Sequence, residues 1–183
     1  MNGGWFETLQ SSVKYEGFST IRVDDVQMPD GSVVSRETVE HDDAVAMVAV
    51  TTSNEVLLLR QYRHPIGRYV LEIPAGKLDV DGESVEEAGR RELAEELEYD
   101  AGKVTPLITF LNSAGWTDEK THVLLATGCT PGRHPDGFTP EAEEADMEII
   151  PMQLDAALEA ARSGDIVDSK SLIGLLLAAP HLQ

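Results

Sequence analysis

Short stretches in which hydrophobic and polar residues alternate, or in which apolar residues run together, dominate this chain and predict β-strands. The predicted strands lie in 5–18 (one strand or two), 19–27, 33–39, 44–50, 55–61, 69–73, 104–111, 121–127 and 147–152. A spacing near 3.6 residues predicts helices at 85–98, 154–162 and from Asp168 or Ser169 through Ala178. This order of elements predicts an α+β fold with a mixed β-sheet.

The helix predicted from Val85 to Glu98 has a defined start, because Ser84 and Glu87 have the spacing of a capping box. One stripe of this helix is apolar or small in its first half and acidic in its second. The stripe consists of Val85, Ala88, Gly89, Glu92 and Glu96, with Glu95 at its edge. Most Glu-rich helices are simply solvated. Carboxylates that face the core repel one another and lose hydration, and Mg²⁺ relieves that conflict.

Composition and charge restrict the classes of partner. The formal net charge of −19 over 183 residues argues against a nucleic acid or an anionic membrane as partner, since both require a basic patch. A single cysteine, Cys129, excludes an internal disulfide and fits a reducing compartment. We find no signal-peptide pattern at the N-terminus and no apolar run long enough to span a bilayer, so we expect a cytoplasmic protein.

The acidic helix and the loop before it carry a longer motif. Gly76, Glu83 and the run Arg-Glu-Leu-Ala-Glu-Glu at 91–96 resemble the Nudix box. The sequence departs from the box in two places: the loop 77–82 has one extra residue, and Glu98 replaces the glycine near the helix end. We expect Glu98 to let the helix continue towards Gly102, and the metal site to be unaffected by either change.

The resemblance extends over about residues 44–180. In this region the chain is similar to the ADP-ribose pyrophosphatase branch of the Nudix hydrolases. It is carried by segments 59–65, 71–76, 113–119 and 164–166. It implies a Nudix-type α/β/α sandwich with a mixed β-sheet in a hydrolase domain at 44–183. It also implies that the N-terminal antiparallel β segment, 1–43, joins a homodimer and helps to build the substrate site.

The resemblance further implies a reaction, the Mg²⁺-dependent hydrolysis of a nucleoside diphosphate sugar, with Mn²⁺ as the alternative ion. ADP-ribose would give AMP and ribose 5-phosphate. The implied metal ligands are the carbonyl of Ala75 and the carboxylates of Glu92, Glu95 and Glu96. We expect Arg91 to orient these glutamates and the loop by ion pairing.

The general base and the substrate contacts are also carried over from the resemblance. Glu144 is the first candidate for the base and Glu143 the second, with Glu141 and Asp146 as competitors in the same acidic loop. The candidate substrate contacts are Arg63, Glu72 and Glu119. Arg63 is otherwise an exposed arginine at a strand end, and Glu72 is otherwise an ion-pair partner of a nearby arginine. Trp116 is expected in the core, with a place in the lining of the substrate pocket as the alternative.

Two rival functions remain at this point. One is the hydrolysis of another diphosphate, such as a GDP-sugar, a UDP-sugar or a dinucleotide, because specificity lies in loops and across a dimer. The other is a Nudix-fold ligand-binding or regulatory module without catalysis. The complete set Glu92, Glu95 and Glu96 argues against the second rival.

Overall fold

A computed structural model describes residues 6–140 and 145–182. Its strands are β1 (Glu7–Glu16), β2 (Thr20–Gln27), β3 (Val33–Glu40), β4 (Ala44–Thr51), β5 (Glu55–Arg63), β6 (Arg68–Glu72), β7 (Ala75–Lys77), β8 (Tyr99–Asp100), β9 (Lys103–Leu111), β10 (Lys120–Pro131) and β11 (Glu148–Gln153). Its α-helices are α1 (Val85–Leu97), α2 (Leu154–Ser163) and α3 (Ser169–Ala178). None of the helices in the described residues is long and apolar enough to cross a membrane.

The larger sheet is mixed, as predicted. Its order is β11-β5-β4-β10-β8, while β6 pairs with β5, β7 with β4 and β9 with β10. The pair β4–β10 is parallel, and the pairs of β5 with β11, β6 and β4 are antiparallel. The sequence pattern missed β7 and β8, because strands of three and two residues are too short to show a period.

Helices cover both faces of this sheet, which confirms the predicted α/β/α sandwich. Successive side chains of β4 point to opposite faces. Val45 and Met47 therefore pack in one core with α1, and Ala46 and Val48 pack in the other with α2 and α3. A Cβ on Gly89 would come within 2.8 Å of the Met47 sulfur. The small residue predicted on α1 thus allows that helix to approach the sheet closely.

The N-terminal strands form a separate antiparallel sheet of order β1-β2-β3, which confirms the predicted N-terminal β segment. By its contacts the chain divides into two units, Met1–Asp42 with Leu111–Lys120, and Asp43–Phe110 with Thr121–Gln183. The sequence predicts a functional boundary at residue 43, between a segment for dimerisation and substrate contact and a catalytic domain. This division of function stays a prediction.

The two ends of α1 differ in how well the sequence predicted them. At the start, the Ser84 hydroxyl accepts the Glu87 N–H at 3.2 Å and the Glu87 carboxylate accepts the Ser84 N–H at 2.9 Å, as expected for a capping box. At the end, the expected continuation towards Gly102 is wrong. Glu98 itself adopts the left-handed conformation (φ 58°, ψ 42°), and its N–H bonds back to the helix.

Contacts far along the chain explain this ending. The Glu98 carbonyl accepts the Gly132 N–H at 2.7 Å, and its carboxylate pairs with His134 at 3.1 Å. These bonds hold a non-glycine residue in a conformation that is ordinarily unfavourable for it. The expectation for Trp116 is also wrong: this side chain is 49% exposed, in the turn that follows Ser113.

Candidate active site

Arg91 joins the loop before α1 to the acidic stripe of that helix. Its Nε and one terminal nitrogen donate to the two Glu83 oxygens, each at 3.0 Å. Its other terminal nitrogen donates to Glu92 at 2.6 Å and to Glu95 at 3.1 Å. The bonds and charges of Glu83 and then of Glu92 raise the pKa of the guanidinium. A fixed positive charge therefore stands among three carboxylates and orders them.

Glu83 is a site residue whose role the sequence reasoning did not assign. Its bidentate contact with Arg91 is the fork geometry that a carboxylate and a guanidinium prefer. Arg91 also donates to the Lys77 carbonyl at 3.3 Å. Both ends of the loop with the extra residue are thus tied to α1.

Gly76 lets Glu92 approach β7. A Cβ on Gly76 would lie 1.9 Å from the Glu92 carboxyl carbon and 2.1 Å from each carboxyl oxygen. No other residue type fits at this position unless Glu92 moves. Glu92 is buried, with 8% of its surface exposed, so the glycine determines where this carboxylate stands.

Ala75 holds the third carboxylate. Its N–H donates to Glu96 at 2.9 Å. The ladder bonds between β4 and the chain at β7 join Met47 to Pro74 and Asp43 to Leu78. This alternation places Ala75 in a non-hydrogen-bonded pair with Ala46, so the ladder does not use the Ala75 carbonyl. That carbonyl remains available as an oxygen ligand beside Glu96.

Two of the glutamates hold their protons unusually tightly. Burial raises the pKa of Glu92 to about 7 against the lowering effect of the Arg91 charge, and the Glu95 charge raises it further. Burial, followed by the Glu92 charge, raises the pKa of Glu96 to about 8. Ionising both carboxylates is therefore costly as long as no further positive charge stands beside them.

The donor set fits a hard divalent cation. It offers three carboxylates and one backbone carbonyl, all oxygen donors, which Mg²⁺ and Mn²⁺ prefer. Across residues 6–140 and 145–182, no three acidic, histidine or cysteine side chains already form a ready metal cluster. Arg91 and the Ala75 N–H hold the carboxylates instead. Glu92, Glu95, Glu96 and Ala75 would hold the ion after a local adjustment of these bonds.

A second group of charges lies before the Pro-Ala-Gly turn. Glu72 is buried, and Arg63 donates to its two oxygens, each at 2.7 Å. Lys170, at the start of α3, pairs with the same carboxylate. Burial would raise the pKa of Glu72, but Arg63 and Lys170 together keep that pKa below its ordinary value. The predicted ion pair between Glu72 and an arginine is present, whereas Lys170 was missed.

A cavity of about 210 Å³ lies against the acidic stripe. Its polar lining includes Glu95, Glu96, Glu98 and His134, and its apolar lining is Phe138, Pro140, Ala145, Met147 and Ile149. Glu143 and Glu144, the predicted bases, and their competitor Glu141 lie outside the described residues. The remaining competitor, Asp146, accepts the Tyr69 hydroxyl at 2.5 Å. Glu119, a predicted substrate contact, belongs to the unit with the N-terminal strands, where it faces His41 Nδ1 at 3.8 Å.

Comparison with known proteins gives consistent matches. The NUDIX domain family matches residues 40–168. An ADP-ribose pyrophosphatase of Mycobacterium tuberculosis is 38% identical over 172 residues, which cover 93% of this chain and 82% of that protein. A methanol dehydrogenase activator of Bacillus methanolicus is 37% identical over 155 residues, covering 85% and 82%. A crystal structure of an ADP compounds hydrolase matches with a TM-score of 0.83 at 22% identity, covering 97% and 94%.

The close approach of Gly76 to Glu92 generates a first prediction. The change Gly76→Ala would push the Glu92 carboxylate aside and weaken Mn²⁺ binding roughly 10-fold or more, because this carboxylate would leave its place in the donor set. Isothermal calorimetry measures the affinity, and the melting temperature reports the fold. Gly115→Ala is the matched control, since a Cβ there would contact nothing within 4 Å. Equal Mn²⁺ affinity in both variants would contradict the assignment of Glu92.

The raised pKa values generate a second prediction. In the folded protein Glu92 and Glu96 keep their protons at pH values where the unfolded chain has lost them. Their stabilising contribution is therefore present below about pH 4.5 and is lost as the pH rises to about 7 for Glu92 and about 8 for Glu96. Each adds a loss of about 1.4 kcal/mol per pH unit in that window.

Thermal melts in a chelator from pH 5 to pH 9 measure this slope. The metal-free melting temperature should fall with pH in the wild type. The fall should be shallower in the double variant that carries both Glu92→Gln and Glu96→Gln. The control Glu86→Gln, on the exposed face of α1, should keep the wild-type slope. Comparing the wild type with the double variant also separates the effect of these two carboxylates from the general charge repulsion in a chain of net charge −19. Identical slopes in all three proteins would show that the two carboxylates do not retain their protons.

Proposed function

Because this chain belongs to the Nudix family and is a Nudix hydrolase, we propose that it hydrolyses ADP-ribose to AMP and ribose 5-phosphate with Mg²⁺. The proposal is carried by the ordered set Glu92, Glu95 and Glu96, held beside a cavity by Arg91 and Ala75. The pyrophosphatase relative supports the choice of substrate, because it matches 93% of this chain. The sequence motifs, which resemble those of ADP-ribose pyrophosphatases, imply the same substrate.

Each residue has a role in this proposal. Mg²⁺ or Mn²⁺, when bound, neutralises the diphosphate and lowers the pKa of the attacking water. The ion is held by Glu92, Glu95, Glu96 and the Ala75 carbonyl. Arg91 keeps the carboxylates in position while they give up some of their present hydrogen bonds and bind the ion. Arg63 offers a guanidinium to the diphosphate, with the bidentate geometry that phosphate recognition uses. Glu119 is proposed as a further substrate contact.

The base that takes the proton from water is proposed to be Glu144, or Glu143 in its place. Pro140 and Ala145, the described residues on either side of this segment, line the same cavity as Glu95 and Glu96. A base must reach the attacking water within hydrogen-bonding distance. The position of these flanking residues supports a base from this segment, and variants of the two glutamates would distinguish between them.

Two alternatives follow from specific relatives. A GDP-mannose pyrophosphatase of Salmonella arizonae is 28% identical over 187 residues, which supports another nucleoside diphosphate sugar as substrate. The relative named as a methanol dehydrogenase activator supports a regulatory role as a second candidate. An effect on a partner enzyme that persists in Glu96→Gln would favour regulation without hydrolysis.

Hydrolysis of ADP-ribose is the third prediction. Wild-type protein with ADP-ribose and Mg²⁺ at mildly alkaline pH should give equal amounts of AMP and ribose 5-phosphate, separated by chromatography. Glu96→Gln should lower kcat roughly 100-fold, because it replaces a carboxylate ligand of the metal ion by a neutral amide. Glu86→Gln, which changes an exposed glutamate of the same helix, should remain active.

The outcomes of this assay separate the alternatives. Turnover of GDP-mannose or another nucleoside diphosphate sugar at a higher kcat/KM than ADP-ribose would contradict ADP-ribose as the substrate. The proposed enzyme class, a hydrolase of nucleoside diphosphates, would still hold. Absence of turnover with every diphosphate tested would contradict hydrolysis as the function.

We also propose that the protein is a homodimer joined through the N-terminal sheet. β1 lies at the edge of that sheet, and it exposes apolar side chains. Leu9, Val13 and Tyr15 are 52%, 57% and 59% exposed, and Phe18, just after β1, is 79% exposed. Exposed apolar side chains gathered on one strand favour an interaction site, and an edge strand also offers unpaired backbone groups. A second copy of the chain can cover both.

Light scattering during size-exclusion chromatography tests this fourth prediction. The mass in solution should be twice the 19.9 kDa of one chain. Val13→Asp should produce monomers, because it places a charge among the exposed apolar side chains of β1. Lys14→Glu, which changes the neighbouring position at a bulge of β1 and leaves the apolar side chains in place, should remain dimeric. A monomeric wild type would refute the dimer.

A further inference from the structure

Glu72 has two cations where one would neutralise it. This residue is 2% exposed. Arg63 binds both carboxylate oxygens, and Lys170 pairs with one of them. A buried carboxylate that loses its only partner is strongly destabilising, so a second cation permits the first to leave.

The two cations differ in how firmly they are held. The Arg63 side chain is 42% exposed, whereas the Lys170 side chain is 14% exposed. Lys170 also pairs with Asp168 at 3.1 Å. Asp168 caps α3 by accepting the Ser171 N–H at 2.9 Å, so Lys170 is fixed to a helix start. Arg63 is therefore the cation that can turn away, and Lys170 is the one that remains.

This group is linked directly to the glutamates of α1. The Ile73 N–H, next to Glu72, donates to the Ser171 hydroxyl at 2.9 Å. Two residues later the Ala75 N–H donates to Glu96. The start of α3 thus supports the strand end and the turn that present Ala75. The charges of Lys170 and Arg63 also act on Glu96.

We propose that Lys170 is a positioning residue that keeps Glu72 paired while Arg63 turns from Glu72 to the diphosphate of the substrate. This inference rests on the proposed function, because it takes the substrate to be an anionic diphosphate. Without Lys170, binding of the diphosphate would strip Glu72 of its remaining cation. The lysine therefore lowers the cost of recruiting Arg63 and does not itself contact the substrate.

A double-mutant cycle between Lys170 and Glu72 tests this fifth prediction. The probe is the non-hydrolysable diphosphate α,β-methylene-ADP with Mg²⁺, and calorimetry gives its Kd. Lys170→Met should weaken binding roughly 10-fold, and Lys170→Arg should restore most of it. In a Glu72→Gln background Lys170→Met should change Kd less than about 2-fold, because a neutral side chain needs no cation. In an Arg63→Ala background Lys170→Met should likewise have little effect on Kd.

Other outcomes would overturn the proposal. An equal loss of affinity on Lys170→Met in the wild-type and Glu72→Gln backgrounds would mean that Lys170 contacts the ligand directly. A lower melting temperature with unchanged Kd would mean a structural role only. Lys170→Gln provides a second variant if Lys170→Met does not fold, as judged by circular dichroism. A wild type that does not bind the probe would also contradict the proposal.

Turnover of ADP-ribose by the same wild-type preparation separates this proposal from the proposed function. Coupling between Lys170 and Glu72 without ADP-ribose hydrolysis would refute the substrate and keep the role of Lys170. Hydrolysis without coupling would refute the role of Lys170 and keep the enzyme.

Discussion

The contact between Arg91 and the carboxylates around it is the interaction on which the rest of the site depends. Glu92, Glu95 and Glu96 occupy positions where a helix ordinarily turns apolar residues towards the sheet, and Glu92 is buried. One guanidinium partly balances their charge and also clamps Glu83 and the loop before the helix. The same arrangement that costs stability in the free protein gives a divalent cation a strong reason to bind.

The sheet supplies the second constraint, through the chain segment that follows β6. Gly76 leaves space for Glu92, and Ala75 faces away from the β4 ladder and holds Glu96. The start of α3 supports this segment from the other side through Ser171. Function here comes from a strand end whose position is set by both helical layers, so the α/β/α architecture itself orders the donor atoms.

Local signals in the sequence were sufficient for most strands and helices, the capping box and the acidic stripe, because each depends on residues close together in the chain. The α/β/α sandwich was expected from the resemblance to the Nudix hydrolases. The left-handed Glu98 was not predictable in this way, since its partners Gly132 and His134 lie more than thirty residues away. The same holds for Lys170, which meets Glu72 across 98 positions. Glu83 was visible as part of the motif, but only the structure shows its fork with Arg91.

The central claim is that Glu92, Glu95 and Glu96, with the Ala75 carbonyl, form a divalent metal site. The most direct test is a crystal structure of the wild type grown with Mn²⁺, with the ion located by anomalous scattering. We predict anomalous density within about 2.0–2.4 Å of oxygens from these residues, with Arg91 still bound to Glu83. Manganese bound only elsewhere on the chain, with the three glutamates still paired to Arg91 and Ala75, would contradict the account.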